Sequence, residues 1–204
     1  MQIDTYTGGL FDTNAFFIPT AGGAILIDAP QGSARWLESR GARVTTLLIT
    51  HGHIDHVADA AAIRRDHGCK VGYHRDGLPM LTDPGFFRRL GFGWEIETVE
   101  ADFLIDETSS LPIEEIDFSV LLVPGHCPGS LCFYAKEERL LFGGDVLFAG
   151  AVGRWDLPGG DRDLLLSGIT RKVFPLGDDV KVYPGHGPAT TVGRERLTNP
   201  FFKE

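Results

Sequence analysis

One stretch, Thr50-His51-Gly52-His53-Ile54-Asp55-His56, constrains this chain more than any other. It packs four potential metal ligands into six residues, spaced His-x-His-x-Asp-His. The run before it, Val44-Thr45-Thr46-Leu47-Leu48-Ile49, is apolar and β-branched and predicts a buried strand. The run after it, from Val57 to Arg65, predicts a helix. The cluster therefore falls in a strand-to-helix turn at the carboxyl end of a strand, where α/β sheets commonly carry their ligand sites. Imidazole and carboxylate suit Zn²⁺ and its first-row relatives. In an extended turn His51 and His53 point the same way and can chelate one metal. Asp55 and His56 are adjacent, cannot both reach that same point, and can serve a second metal nearby. Surface histidines beside a capped helix start are the bland alternative. It fits poorly, because so many polar groups are costly to desolvate unless paired.

The rest of the chain repeats this arrangement. Residues 2–6, 15–18 and 24–28 read as strands, with Gly22-Gly23 suiting a hairpin between the last two. Ser33 to Arg40 reads as a helix closed by Gly41. The helix that begins near His56 ends near His67-Gly68, and strand resumes at 70–73. Residues 103–105 precede a polar turn. Strand 118–123 ends in Pro124-Gly125-His126. Strand 131–134 turns through Lys136-Glu137-Glu138-Arg139 into Leu140-Leu141-Phe142 and then Gly143-Gly144-Asp145. Asp161 caps an amphipathic helix running to Phe174, with Leu164, Leu165, Ile169 and Val173 near helical spacing. The last strand, 180–183, ends in Pro184-Gly185-His186. Three more strands thus end in a glycine followed by a metal-type residue: His126, Asp145 and His186. His67 and His74 have no such setting.

Residues 74–100 are broken by Pro79, Pro84, Gly85, Gly91 and Gly93. They are also rich in Phe86, Phe87, Leu90, Phe92 and Trp94, which suits either a pocket wall over metals or a loop with a small core of its own. Cys127, beside His126, reads as a small buried residue rather than a reactive thiol. The three cysteines form no CxxC pair and suit a reducing cytoplasm. Met1-Gln2-Ile3-Asp4 lacks a signal-peptide start, and no apolar run reaches the length of a membrane span. A net charge of −9 without a basic block argues against nucleic acid as substrate. At 204 residues a single domain, or one built by internal duplication, is expected.

The ordered set of metal-type turns resembles the metallo-β-lactamase superfamily over nearly the whole chain. Phe142-Gly143-Gly144-Asp145-Val146-Leu147-Phe148, Gly153 to Gly160, Pro184-Gly185-His186-Gly187-Pro188 and Thr198-Asn199-Pro200-Phe201 are most similar to its short glyoxalase II-like hydrolases. Asn14 also fits that family's early strand. The resemblance implies an α+β fold, a four-layer αββα sandwich of two similar halves meeting around residues 110–117, as one domain over 1–204. It implies two divalent metals, zinc first, with iron or manganese as alternatives. His51, His53 and His126 would hold one, Asp55, His56 and His186 the other, and Asp145 both. The glutathione-holding helical domain of longer relatives is not expected here.

Two metals about 3.5 Å apart can share one water and lower its pKa toward about 7. The implied activity is attack of that hydroxide on a thioester, such as S-lactoylglutathione or another small acyl-thiol. A thiolate of pKa about 8.5 leaves with little help. Asp55 is the candidate for moving a proton, and Arg154 for contacting an anionic substrate, with a structural salt bridge as the alternative for Arg154. The rivals are a mono-iron persulfide dioxygenase using His51, His126 and Asp145, and a non-catalytic metal-binding protein. A membrane partner is not expected, and the oligomeric state is open.

Overall fold

Apolar runs of the first hundred residues become the strands of one mixed sheet. In the computed structural model, residues 1–91, 93 and 95–203 are described, Ser109 by its backbone alone. The chain divides into unit 1, Met1–Ile105 with Ile113–Glu115, and unit 2, Asp106–Pro112 with Ile116–Glu204. Unit 1 carries β1 (Asp4–Gly8), β2 (Thr13–Thr20), β3 (Gly23–Ile27), β4 (Val44–Leu48), β5 (Lys70–Tyr73) and β6 (Phe103–Leu104), side by side in that order. The first three run antiparallel, the hairpin expected at Gly22-Gly23 turning one residue earlier, at Ala21-Gly22, and β3 to β6 run parallel. Leu26, Leu47, Ile49 and Val71 are fully buried on this sheet among Leu37, Ile63 and Leu81 from its helices.

The expected helix after the metal turn is two pieces, α2 (Ile54–Val57) and α3 (Ala60–His67), counted after α1 (Ser33–Glu38). The break has a backbone cause. The His56 carbonyl accepts from Ala29 N–H, and Asp59 N–H donates to the Ala29 carbonyl, so both groups leave the helix ladder. The Asp59 carboxylate then accepts from Gly32 and Ala34 N–H, at the start of α1. The segment after β5 forms α4 (Leu78–Thr82) and α5 (Phe86–Arg89). Leu81 and Val99 pack into the unit 1 core.

Unit 2 carries β7 (Thr108–Ile113, its last residue falling in unit 1), β8 (Ile116–Leu122), β9 (Leu131–Ala135), β10 (Leu140–Gly144), β13 (Lys181–Pro184) and β14 (Thr190–Thr191), ordered β14-β13-β10-β9-β8-β7, while β11 (Leu147–Phe148) and β12 (Ala151–Val152) form a separate hairpin. Strand β7 was not expected. Its residues read as part of a polar turn; the chain changes unit at Ile105/Asp106 and again at Pro112/Ile113 and Glu115/Ile116, the last two within the expected 110–117. It is an edge strand with polar residues and Pro112, a position where a missing N–H is tolerated and alternation is weak. Helix α6 (Arg162–Gly168) is capped as expected, the Asp161 carboxylate accepting from Leu164 N–H at 2.9 Å. It passes into a π turn (Ile169–Val173) and a 3₁₀ turn rather than staying α-helical to Phe174. Leu165, Ile169 and Val173 are buried, whereas Leu164 is 46% exposed. Helix α7 (Val192–Thr198) follows β14. The fold is α+β, two mixed sheets each with helices against it, as expected. Among the described residues no helix is long and apolar enough to cross a membrane.

Candidate metal centre

The donors follow strands, on loops or, for Asp55 and His56, in the short helix α2, and each unit is described separately. In unit 1 the chain leaves β4 through buried Ile49 and Thr50 into the histidine turn. His53 has extended backbone, φ −62° and ψ 144°, as the chelating turn requires. Gly52 is needed by close approach: a Cβ there would lie 2.6 Å from Met80 Cβ and from Tyr73 Oη.

Asp28, after β3, organises the turn from a left-handed backbone (φ 62°). Its Oδ1 accepts from Thr50 N–H at 2.8 Å, and its Oδ2 accepts from Thr50 Oγ1 at 2.7 Å and from His56 Nδ1 at 2.8 Å. A carboxylate only accepts, so His56 carries its proton on Nδ1 and a lone pair on Nε2. That Nε2 faces Asp55 Oδ2 at 3.5 Å. The single Thr50 hydroxyl proton is spent on Asp28, so Thr50 Oγ1 accepts from His51 Nδ1 at 3.1 Å and leaves the His51 lone pair on Nε2 too. Asp55 Oδ2 is held by the Thr13 hydroxyl at 2.8 Å. The His51 ring lies 4.0 Å from that of His56 and 4.9 Å from that of His53, centroid to centroid. A second-sphere hydrogen bond on the far nitrogen is the usual way a protein aims a histidine at a metal.

In unit 2 the parallel pairing of β10 with β13 sets Gly144 beside Pro184, and Gly185 N–H donates to the Gly144 carbonyl. This brings Asp145 and His186 together. His126, after β8, donates from Nδ1 to the Arg154 carbonyl at 2.7 Å, which again leaves the lone pair on Nε2. Asp145 Oδ2 lies 3.5 Å from His126 Nε2 and 3.4 Å from His186 Nε2. Ligands about 2.0–2.1 Å from a tetrahedral ion stand about 3.3 Å apart, so the spacing and chemistry of these donors fit a divalent metal. Gly153 is again fixed by contact: a Cβ would lie 1.9 Å from the Asp145 carbonyl oxygen and 3.1 Å from His126 Cβ.

Of the seven expected ligands, His51, His53, Asp55 and His56 belong to unit 1, the last two within α2, and His126, Asp145 and His186 lie on loops of unit 2. The sequence reading missed Thr13, the aiming role of Asp28 and the Arg154 carbonyl. Their only sequence signal is the Asp that ends the Ala24–Ile27 run. Arg154's guanidinium pairs doubly with Asp156, at 2.8 and 2.9 Å. That hydrogen bonding raises the Arg154 pKa and lowers that of Asp156.

Burial pushes the Cys69 thiol to about 11 and the Cys132 thiol to about 12, so both stay protonated near neutrality. Cys127 is fully buried, as expected. Beside Asp55, unit 1 has a cleft of about 440 Å³ whose walls include Leu10, Phe11, Ile54, Ile96 and Glu97. Of residues 74–100, Leu81 and Val99 join the main unit 1 core rather than a small core of their own, while 93 and 95–97 line the cleft. Phe92 and Trp94 lie outside the described residues.

The model of the metallo-beta-lactamase superfamily matches residues 8–186. The chain is 36% identical over 189 residues to a protein of Haemophilus influenzae named hydroxyacylglutathione hydrolase GloC, covering 87% of this chain and 86% of that one. Among solved structures it is similar to BLEG-1, titled a B3 metallo-beta-lactamase, with a TM-score of 0.90, 37% identity and all of both chains covered. It is also similar to TTHA1623 in a di-iron-bound form, with a TM-score of 0.86, 34% identity, and 97% and 99% coverage.

Proposed function

Because the chain belongs to the metallo-beta-lactamase superfamily, whose members use divalent metals for hydrolysis, we propose that it hydrolyses a small acyl-thioester, S-lactoylglutathione or a related acyl-thiol. We assign His51, His53 and His126 to one metal, Asp55, His56 and His186 to a second, and Asp145 to both. Zinc is the metal favoured by this donor set, with iron or manganese as the alternatives. One observation carries the assignment: Asp145 Oδ2 faces His186 Nε2 at 3.4 Å and, at 3.5 Å, His126 Nε2, where lone pair meets lone pair because Nδ1 carries the His126 proton. A divalent cation turns that repulsion into ligation. The thioester itself is supported by the 36% identity to the protein named hydroxyacylglutathione hydrolase.

Bound in this set, divalent metals would lower the pKa of a water toward about 7 and polarise the carbonyl oxygen. The chain's own groups do the rest. Thr13 holds Asp55 Oδ2, so Asp55 has a fixed orientation for taking up a proton. Asp28 and the Arg154 carbonyl aim the rings of His56 and His126. The Arg154 guanidinium exchanges its exposed, water-screened pair with Asp156 for an anionic group of the substrate. The apolar wall of Leu10, Phe11 and Ile54 takes the acyl or thiol arm. No cysteine nucleophile is required, and the three free thiols suit a reducing cytoplasm.

The test is metal content per chain together with turnover of S-lactoylglutathione and of a β-lactam. Two metals with release of glutathione is the expected result. Two metals with β-lactam opening alone would move the reading to the activity for which BLEG-1 is titled. One iron with oxygen uptake on glutathione persulfide would make the chain a dioxygenase, and bound metal without any turnover a binding protein.

A further inference from the structure

Unit 2 buries a carboxylate that the reaction does not use. Glu195, on α7, is fully buried. Burying an ionised carboxylate is costly, and it persists only where donors satisfy it. Its Oε1 accepts from Thr190 Oγ1 at 2.5 Å, and its Oε2 accepts from Gly150 N–H at 2.8 Å and from Asn199 Nδ2 at 2.9 Å. Arg194 Nε stands 3.9 Å away on the exposed side. Asn199 Nδ2 donates as well to the Ala151 carbonyl at 3.0 Å. Gly150 and Ala151 lie at the tip of the β11–β12 hairpin, where Phe148 pairs with Ala151 and Leu147 with Val152.

The hairpin and the residues that follow it support the metal-type residues of unit 2. Asp145 precedes it by two residues. Gly153 follows it, packed on the Asp145 carbonyl, and the next carbonyl, of Arg154, receives His126 Nδ1–H. Phe148 lies edge-on to the His186 ring, 6.1 Å between centroids. A shift of the hairpin therefore moves the supports of His126, Asp145 and His186 together.

We propose that Glu195 and Asn199 are positioning residues: they clamp the tip of this hairpin and so hold the three unit 2 ligands in register. This rests on the metal assignment above. A role in folding alone would lower stability and leave metal affinity untouched. The positioning role changes both, because supports of metal-ligating histidines typically govern about 10–100-fold in affinity.

The experiment compares wild type with Glu195→Ala, Glu195→Gln and Asn199→Ala. It measures Zn²⁺ affinity by chelator competition and, in metal-free protein, the NMR signal of the His126 Nδ1 proton. Glu195→Ala and Asn199→Ala should each weaken Zn²⁺ binding by about tenfold and move the His126 signal. Glu195→Gln, whose amide oxygen can still accept from Gly150 and Asn199, should recover most of the affinity. Folded Ala variants with wild-type affinity and an unmoved signal would overturn the clamp. If Glu195→Ala does not fold, Asn199→Ala decides, since it leaves Glu195 bonded to Thr190 and Gly150. No thioester enters the test, so failure of the proposed reaction does not affect it. A wild type that binds no Zn²⁺ would instead sink the metal assignment, and the His126 signal would still decide the clamp.

Discussion

Replacing Gly153 by Ala adds one methyl group at the most crowded point beside the unit 2 donors. The new Cβ would lie 1.9 Å from the Asp145 carbonyl oxygen. A carbon and a carbonyl oxygen need about 3.3 Å, so the two backbone segments must part by about 1.4 Å. The displaced atom is backbone, which cannot rotate away. Overpacking of this kind costs about 1–3 kcal/mol. The same change stiffens the unfolded chain and returns only about 0.4–1 kcal/mol, so the net effect is a loss of about 1–2 kcal/mol. For a chain of this size that lowers Tm by about 2–8 °C. Function should suffer more than stability. A displacement near 1 Å at the reacting groups costs about a hundredfold in rate, and here Asp145 and the His126 support move together. The assay is a thermal melt, bound metal per chain and kcat/KM on the best thioester found, for wild type and Gly153→Ala side by side. Unchanged metal content and unchanged kcat/KM would refute the steric reasoning, and a raised Tm would show that chain entropy outweighs the contact.

Three further outcomes follow from other residues. Asp145→Ala should lose bound metal and activity together, since in the proposed centre one carboxylate would serve both ions; full metal content with full activity would end the bridging role. Arg154→Ala should raise KM for an anionic thioester more than it lowers kcat, while keeping His126 aligned through the unchanged carbonyl; equal KM values would leave the Asp156 pair as a structural one. Above pH 9 the unfolded chain ionises its thiols while the folded chain keeps Cys132 protonated to about 12 and Cys69 to about 11. Each thiol's contribution is therefore intact below the unfolded value and is lost at about 1.4 kcal/mol per pH unit as pH rises toward the folded value. Denaturant titrations at pH 9 to 11 on wild type and Cys132→Ala should show a shallower decline in the variant.

The donors were legible because they are local. His51 to His56 declare themselves within one turn, and His126, Asp145 and His186 each follow a glycine at the end of an apolar run. The hairpin near Gly22, read one residue late, and the Asp161 cap were legible for the same reason. What was hidden depends on distant partners. Nothing near Asp28 announces a histidine 28 residues on, and nothing near Glu195 announces the tip of a hairpin 45 residues back. Strand β7 was hidden because an edge strand needs no alternation of apolar side chains. The break at Ala58-Asp59 was hidden because helix propensity says nothing of a carbonyl captured by Ala29.

Asp28 sits where two independent restrictions on the amino-acid alphabet intersect. A backbone at φ 62° favours glycine, asparagine and aspartate over all other residues. Three donors arriving from Thr50 and His56 demand a side chain that only accepts, which removes glycine for want of atoms and asparagine for its NH₂ group. One residue type survives both restrictions. Random mutagenesis across this chain should therefore find position 28 less permissive than Asp55, whose side chain meets a chemical demand without a conformational one.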